Sequence, residues 1–150
     1  MTQQDVHDSP VDWVNEHTRQ YVESGGEQGH DWNGVPTLLL TTTGRKSGVR
    51  RRTALIYGTS PGGSVDGGDA YVVVASKGGA PEHPAWFLNL QADPDVEVQV
   101  GPEVLAARAR VATGEERERL WRDMAVIWPA YDEYATKTER EIPVVVLDRR

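Results

Sequence analysis

Between Gly44 and Arg52 the chain carries Arg45, Lys46, Arg50, Arg51 and Arg52, five of its sixteen basic side chains, in a protein of formal net charge −7. Like charges this close repel, so such a run needs either full solvation or a negative partner. The flanking residues favour the partner. Pro36 to Thr43 and Thr53 to Tyr57 both read as strands, which places the charges on a hairpin turn. Gly44 and Gly48 allow a tight turn with outward N–H groups, and arginines grip phosphate or carboxylate oxygens in bidentate fashion. The chemistry this pattern can do is anion binding; a solvated basic turn is the competing reading.

Other spacings carry less. Gly58-Thr59-Ser60-Pro61-Gly62 matches the hydrolase nucleophile pattern, but that pattern needs a strand, a strained elbow and a helix, and Pro61 with the glycines after it points to a loop. His7, His17, His30 and His83 lack metal-ligand spacing, so no metal is expected. Gly44 to Gly48 is not a Walker loop, because its lysine comes early and no helix follows. With no cysteine, disulfides, thiolate metal sites and cysteine nucleophiles are excluded.

The elements that must position the basic turn follow from periodicity. Ser9 and Pro10 open a helix along Val11, Val14, Thr18, Tyr21 and Val22 that ends near Gly25 and Gly26. A Gly-rich loop over 60–69 leads to a buried strand from Ala70 to Ser76, expected to complete a three-strand meander. Pro84 opens a short helix through Leu90, Val96 to Val100 alternates as a half-wet strand, and Glu103 to Val111 is its partner across Gly101-Pro102. Thr113 and Glu116 spell a capping box for a helix through Trp128, and Ile142 to Leu147 is the last strand. The expected fold is mainly β (α+β), a six-stranded antiparallel barrel with peripheral helices, since closure removes exposed edges. Residues 1–35 form an N-terminal helix and loop and 36–150 a single domain. No apolar run spans a membrane and the polar, acidic N-terminus is unlike a signal peptide, so a cytoplasmic protein is expected, without stable membrane insertion. Its acidity argues against nucleic acid as a partner.

Three separated motifs, VASKGGAPEHPAWFLNL from Val74, LLTTTGRKSG from Leu39 and WPAYDEY from Trp128, together resemble the deazaflavin (coenzyme F420)-dependent nitroreductase family of actinobacteria and their relatives. The resemblance runs from about Pro36 to Leu147. It implies an FMN-binding-like split β-barrel and coenzyme F420, a deazaflavin whose phosphodiester and oligoglutamate tail are both anionic, which agrees with the basic turn. FMN is the lesser candidate.

Carried over by position, the family's cofactor contacts fall on Arg45, Lys46 and Ser47, on Arg51, Arg52, Thr53, Ala54, Leu55 and Ile56, on Val74, Ala75, Ser76 and Lys77, on Ala85, Trp86, Phe87, Leu88 and Asn89, and on Tyr131. Arg45, Lys46 and Arg51 suit tail anions, and Arg51 can face the site only if Arg50 and Arg52 face away. The start of the helix at Pro84 offers unpaired N–H groups. Where the family's reductases line the substrate pocket with three tyrosines at spacing three, this chain has Trp128, Tyr131 and Tyr134. One phenol is therefore replaced by an indole, which donates a hydrogen bond but gives up no proton readily. Ser76, Tyr131 and Tyr134 are the residues expected to orient substrate or donate a proton.

The expected activity is hydride transfer from reduced F420 to a small electron-poor acceptor: a quinone, an activated alkene or a nitroaromatic. The alternatives are a non-catalytic carrier for an anionic cofactor and an FMN- or haem-binding split barrel. The protein is expected as monomer or homodimer, with peripheral membrane contact left open.

Overall fold

The computed structural model describes residues 6–8, 21, 24, 31–32, 35–60, 69–79 and 81–149. The expected N-terminal helix lies outside them apart from Tyr21 and Ser24, as does most of the Gly-rich loop, 61–68. Among the described residues nine strands form the sheet: β1 (Val6–Asp8), β2 (Asp31–Trp32), β3 (Val35–Thr43), β4 (Arg50–Ile56), β5 (Gly58–Ser60), β6 (Ala70–Val74), β7 (Asp95–Val100), β8 (Glu103–Val111) and β9 (Val144–Arg149). Among the same residues they are accompanied by the helices α1 (Ala85–Ala92), α2 (Gly114–Ile127) and α3 (Ala130–Thr136), and by a 3-10 turn at Lys77–Gly79.

The strand order is β1-β4-β3-β7-β8-β9-β6-β5, with β2 on β3. Only Tyr57 separates β4 from β5 in the chain, yet β4 pairs with β3 and β5 pairs with β6 at the far end of the order. One bent stretch thus belongs to both ends, which forces the sheet to curl into a barrel. Tyr57 is buried at the bend, its ring edge-on to Tyr71 at 5.6 Å.

Runs of valine in β6 and β9 make sense in this curl, because both faces of these strands are covered. Val73, Val145 and Leu147 face the interior with Leu38, Leu40, Val98, Phe87 and Leu90. The alternate residues Val72, Val74, Val144 and Val146 pack outside against Leu120, Met124 and Tyr131 of α2 and α3. Each fully buried side chain of this size contributes about 1.5–3 kcal/mol. In β7, by contrast, Val96 and Val98 are buried while Asp95 and Glu97 are exposed, so that one face is wet. Tyr21 is fully buried; its hydroxyl accepts from the Gly101 N–H at 2.6 Å and donates to the Thr37 carbonyl at 3.1 Å.

Four expectations are corrected. Among the described residues the sheet has nine strands rather than six, because Gly58–Ser60, expected as loop beyond a strand ending at Tyr57, forms β5 and because β1 and β2 are too short to show alternation. It is not wholly antiparallel, since β1 runs parallel to β4. The meander does not form as expected, because β6 lies between β5 and β9 rather than beside β4. The capping box at Thr113 is absent: Thr113 makes no side-chain cap bond, Gly114 enters α2 with φ of 58°, and Arg110 takes the Glu116 carboxylate at 2.6 and 3.1 Å.

Candidate cofactor site

Gly44 N–H donates to the Val49 carbonyl at 2.7 Å and Gly48 N–H to the Gly44 carbonyl at 2.9 Å, so the basic turn is a closed hairpin. Gly48 has φ of 70°, a conformation other residues rarely adopt. Arg45, Lys46 and Ser47 are exposed on it, and the Ser47 hydroxyl braces the turn by accepting from the Val49 N–H at 3.2 Å. The turn is fastened to α1 by one buried side chain, Asn89. Its Oδ1 accepts from the Arg45 backbone N–H at 3.2 Å and from Arg45 Nη1 at 2.9 Å, while its Nδ2 donates to Thr42 Oγ1 at 3.3 Å. A helix rises ~1.5 Å per residue, so the start of α1 at Ala85 lies about 6 Å along the axis from Asn89. Two motifs far apart in sequence therefore meet at one corner.

Register sorts the β4 residues, because directly opposed residues share a face. Arg51, Thr53 and Leu55 oppose Thr42, Leu40 and Leu38 on the face that carries α1. Arg52, Ala54 and Ile56 oppose Thr41, Leu39 and Thr37 on the other face, and Ile56 packs against the outer cluster that Trp128 and Tyr134 also border. Arg50 also faces away, its Nη2 4.0 Å from Glu97 Oε2. No residue of β4 is buried although the strand runs between β1 and β3, so its α1 side is incompletely covered by protein. Exposed Arg45, Lys46 and Arg51 beside that strand, with the Ala85 and Trp86 N–H groups that precede the first intrahelical bond of α1, form a donor set suited to an anionic ligand.

A second turn, beginning where β6 ends, carries Ser76 and Lys77. Val74 and Ala75 are buried and Ser76 is half-buried. Gly79 N–H donates to the Ser76 carbonyl at 2.9 Å, and Gly79 has φ of 83°. A Cβ on Gly79 would come within 2.8 Å of the Tyr134 carbonyl oxygen, so the turn is wedged against α3. Lys77 has φ of 46° and its Nζ is 3.0 Å from Glu82 Oε1; this contact holds the Glu82 carboxyl below its ordinary range. Lys77 thus already has a carboxylate partner. Arg140 donates to the carbonyls of Ala75 at 3.2 Å and Ser76 at 2.8 Å, and its Nη1 is 3.0 Å from His83 Nδ1. The His83 ring lies against Phe87 at 4.9 Å, and burial, then the Arg140 charge, lowers its pKa. Sequence reasoning missed Arg140, which stands in a polar stretch with no periodicity to single it out.

The aromatic trio does not lie on one helix face. Pro129 interrupts the helix after Trp128, so Trp128 sits at the α2–α3 junction and Tyr131 and Tyr134 belong to α3. Tyr131 is buried, with ring centroids 6.2 Å from both Trp121 and Tyr134, and burial pushes its phenol well above the usual value. Tyr134 and Trp128 are half-buried. On α1, Phe87 points into the interior cluster, Trp86 packs at its margin, Leu88 is half-buried and Ala85 is exposed. Among the described residues no three His, Asp or Glu side chains are grouped to hold a metal ion. No helix among them is long and apolar enough to cross a membrane.

A family profile described as F420H(2)-dependent quinone reductase matches residues 13–149. The chain belongs to this family. An F420H(2)-dependent quinone reductase of Mycobacterium tuberculosis (strain ATCC 25618 / H37Rv) is 41% identical over 138 residues, which are 89% of this chain and 88% of the relative. A solved F420-H2 dependent reductase, FDR-A, superposes with a TM-score of 0.64 at 45% identity, over 75% of this chain and 94% of that one. Another solved structure, described as a domain-swapped dimer, gives 0.67 at 42% identity over 93% of this chain and 100% of that one. A haem-binding protein from Mycobacterium smegmatis shares the fold alone, at 19% identity and a TM-score of 0.55, over 88% of this chain and 49% of that one. The match bears out the resemblance of the three motifs to F420-dependent reductases of split-barrel fold, under the description quinone reductase.

Proposed function

We propose that the protein binds reduced coenzyme F420 and passes hydride from it to a quinone, with enones and nitroaromatics as poorer acceptors. The observation that carries this reading is the Asn89 link, which brings the basic turn and the incompletely covered strand that follows it to the start of α1, in a chain of this family. Arg45, Lys46 and Arg51 would pair with the anionic tail, α1 N–H groups would meet an electron-rich ring edge, and the Ser76–Gly79 turn would close the other side. When bound, the deazaflavin supplies the hydride. The residues of this chain hold both reactants at reacting distance and exclude water. A quinone that accepts hydride also needs one proton to become the hydroquinone. Tyr131 retains its proton throughout the neutral range, so it serves as hydrogen-bond donor to the acceptor oxygen and the proton is drawn from water. The protein acts in the cytoplasm, and a homodimer is the assembly we propose, by analogy with the domain-swapped relative.

Steady-state oxidation of reduced F420 with a naphthoquinone, a cyclic enone and a nitroimidazole, without oxygen, tests this assignment. The quinone should give the highest kcat/KM. Turnover of the enone or nitroimidazole with none of the quinone would overturn the acceptor assignment.

A further inference from the structure

We infer that Arg140 is a positioning residue for the cofactor site, holding the Ser76–Lys77 turn and the approach to α1 in fixed relation through the Ala75 and Ser76 carbonyls and the His83 ring. The Ala75 and Ser76 carbonyls, at 3.2 and 2.8 Å, lie where the chain leaves β6; His83 Nδ1, at 3.0 Å, stands just before Pro84 and the first turn of α1. A planar guanidinium presents donors in a rigid fork and can bind these groups at once, whereas an ammonium is a point donor without that geometry. The turn needs such a hold. Lys77 and Gly79 both have positive φ, the turn's own backbone bond is from Gly79 to Ser76, and its far side rests on Tyr134. Positive φ at a residue with a side chain persists only where the surroundings enforce it. The charge is kept there against partial burial, with the Glu82 carboxylate as its favourable neighbour. Arg140 acts on the site through these groups, so its role rests on the reading of Ser76, Lys77 and the start of α1 as cofactor contacts.

Three variants, Arg140→Gln, Arg140→Lys and His83→Phe, are compared with the parent for F420 dissociation constant and for kcat and KM with reduced F420 and a naphthoquinone. Arg140→Gln should weaken F420 binding and raise the F420 KM by about tenfold, the scale of a lost charge-assisted hydrogen bond, with the quinone KM unchanged. Arg140→Lys should recover part of that loss, and His83→Phe should show a smaller change in the same direction. Should Arg140→Gln fail to fold, the other two still decide. A residue that serves only stability would lower the active fraction, and with it kcat, at parental dissociation constant and KM; that result in Arg140→Lys and His83→Phe overturns the role. Failure of the parent to bind F420 would instead overturn the cofactor reading and this role together.

Discussion

Replacing Asn89 by leucine removes, at similar volume, the acceptor for Arg45 and the donor to Thr42. A hydrogen bond to a charged group contributes about 1.5–3 kcal/mol and a neutral one about 0.5–1.5 kcal/mol. Here Arg45 is exposed, so water replaces much of what its 2.9 Å bond supplies, and the 3.3 Å bond to Thr42 is long. The expected loss of stability is therefore about 1–2 kcal/mol, and a similar release of Arg45 should weaken F420 binding by about 1 kcal/mol, or about fivefold. Asn89→Asp separates placement from charge. Its carboxylate still accepts from Arg45, so urea unfolding should stay close to the parent, but the added charge opposes an anionic ligand and affinity should fall below that of Asn89→Leu. The two rank orders, stability by urea midpoint and affinity by F420 titration at low salt, should thus cross. If both variants bind F420 like the parent, the link between the turn and α1 has no part in the site and the reasoning fails.

Further outcomes follow from the same geometry. Arg45→Ala and Lys46→Ala should each weaken F420 binding by about 1 to 3 kcal/mol at low salt, and high salt should narrow the gap to the parent; a double variant that binds normally would make the turn plain solvated surface. Tyr131→Phe should lower kcat severalfold at unchanged F420 affinity, because the buried ring packing is kept and a donor is lost, whereas Trp128→Tyr should widen the acceptor range towards nitroimidazoles; unchanged acceptor panels for both would place the substrate elsewhere. The Arg110 hydrogen bond lowers the Glu116 pKa from 4.5, so its contribution to stability is present above that value and is lost as pH falls through the folded value. Urea unfolding at about pH 7 and about pH 3 should show Glu116→Gln losing less stability on acidification than the parent; equal losses would contradict the pairing.

Strand positions were legible because β3, β6, β7, β8 and β9 carry unbroken or alternating apolar runs, and the basic turn was legible because charge and glycine cluster locally. The bend at Tyr57 was not, since Gly58, Thr59 and Ser60 before Pro61 look like loop rather than a short strand that pairs at the other end of the sheet. Nor was the pairing of Arg45 with Asn89, forty-four residues apart, or the hold of Arg140 on Ala75, Ser76 and His83, because periodicity reports which face is buried and not which polar groups meet across elements. The capping box failed for a local reason: Arg110, on the adjacent strand, competes for Glu116 while Gly114 takes a conformation outside the helical range. Register, once seen, explained why Arg51 and not its neighbours shares a face with α1.

Calorimetric titration of the purified protein with F420 and, in parallel, with FMN at low ionic strength tests the central claim most directly. The account predicts saturable F420 binding at least about tenfold tighter than FMN, weakened by salt as expected for an anionic tail on a basic turn. Tighter binding of FMN, or no binding of F420 by folded protein, would contradict it.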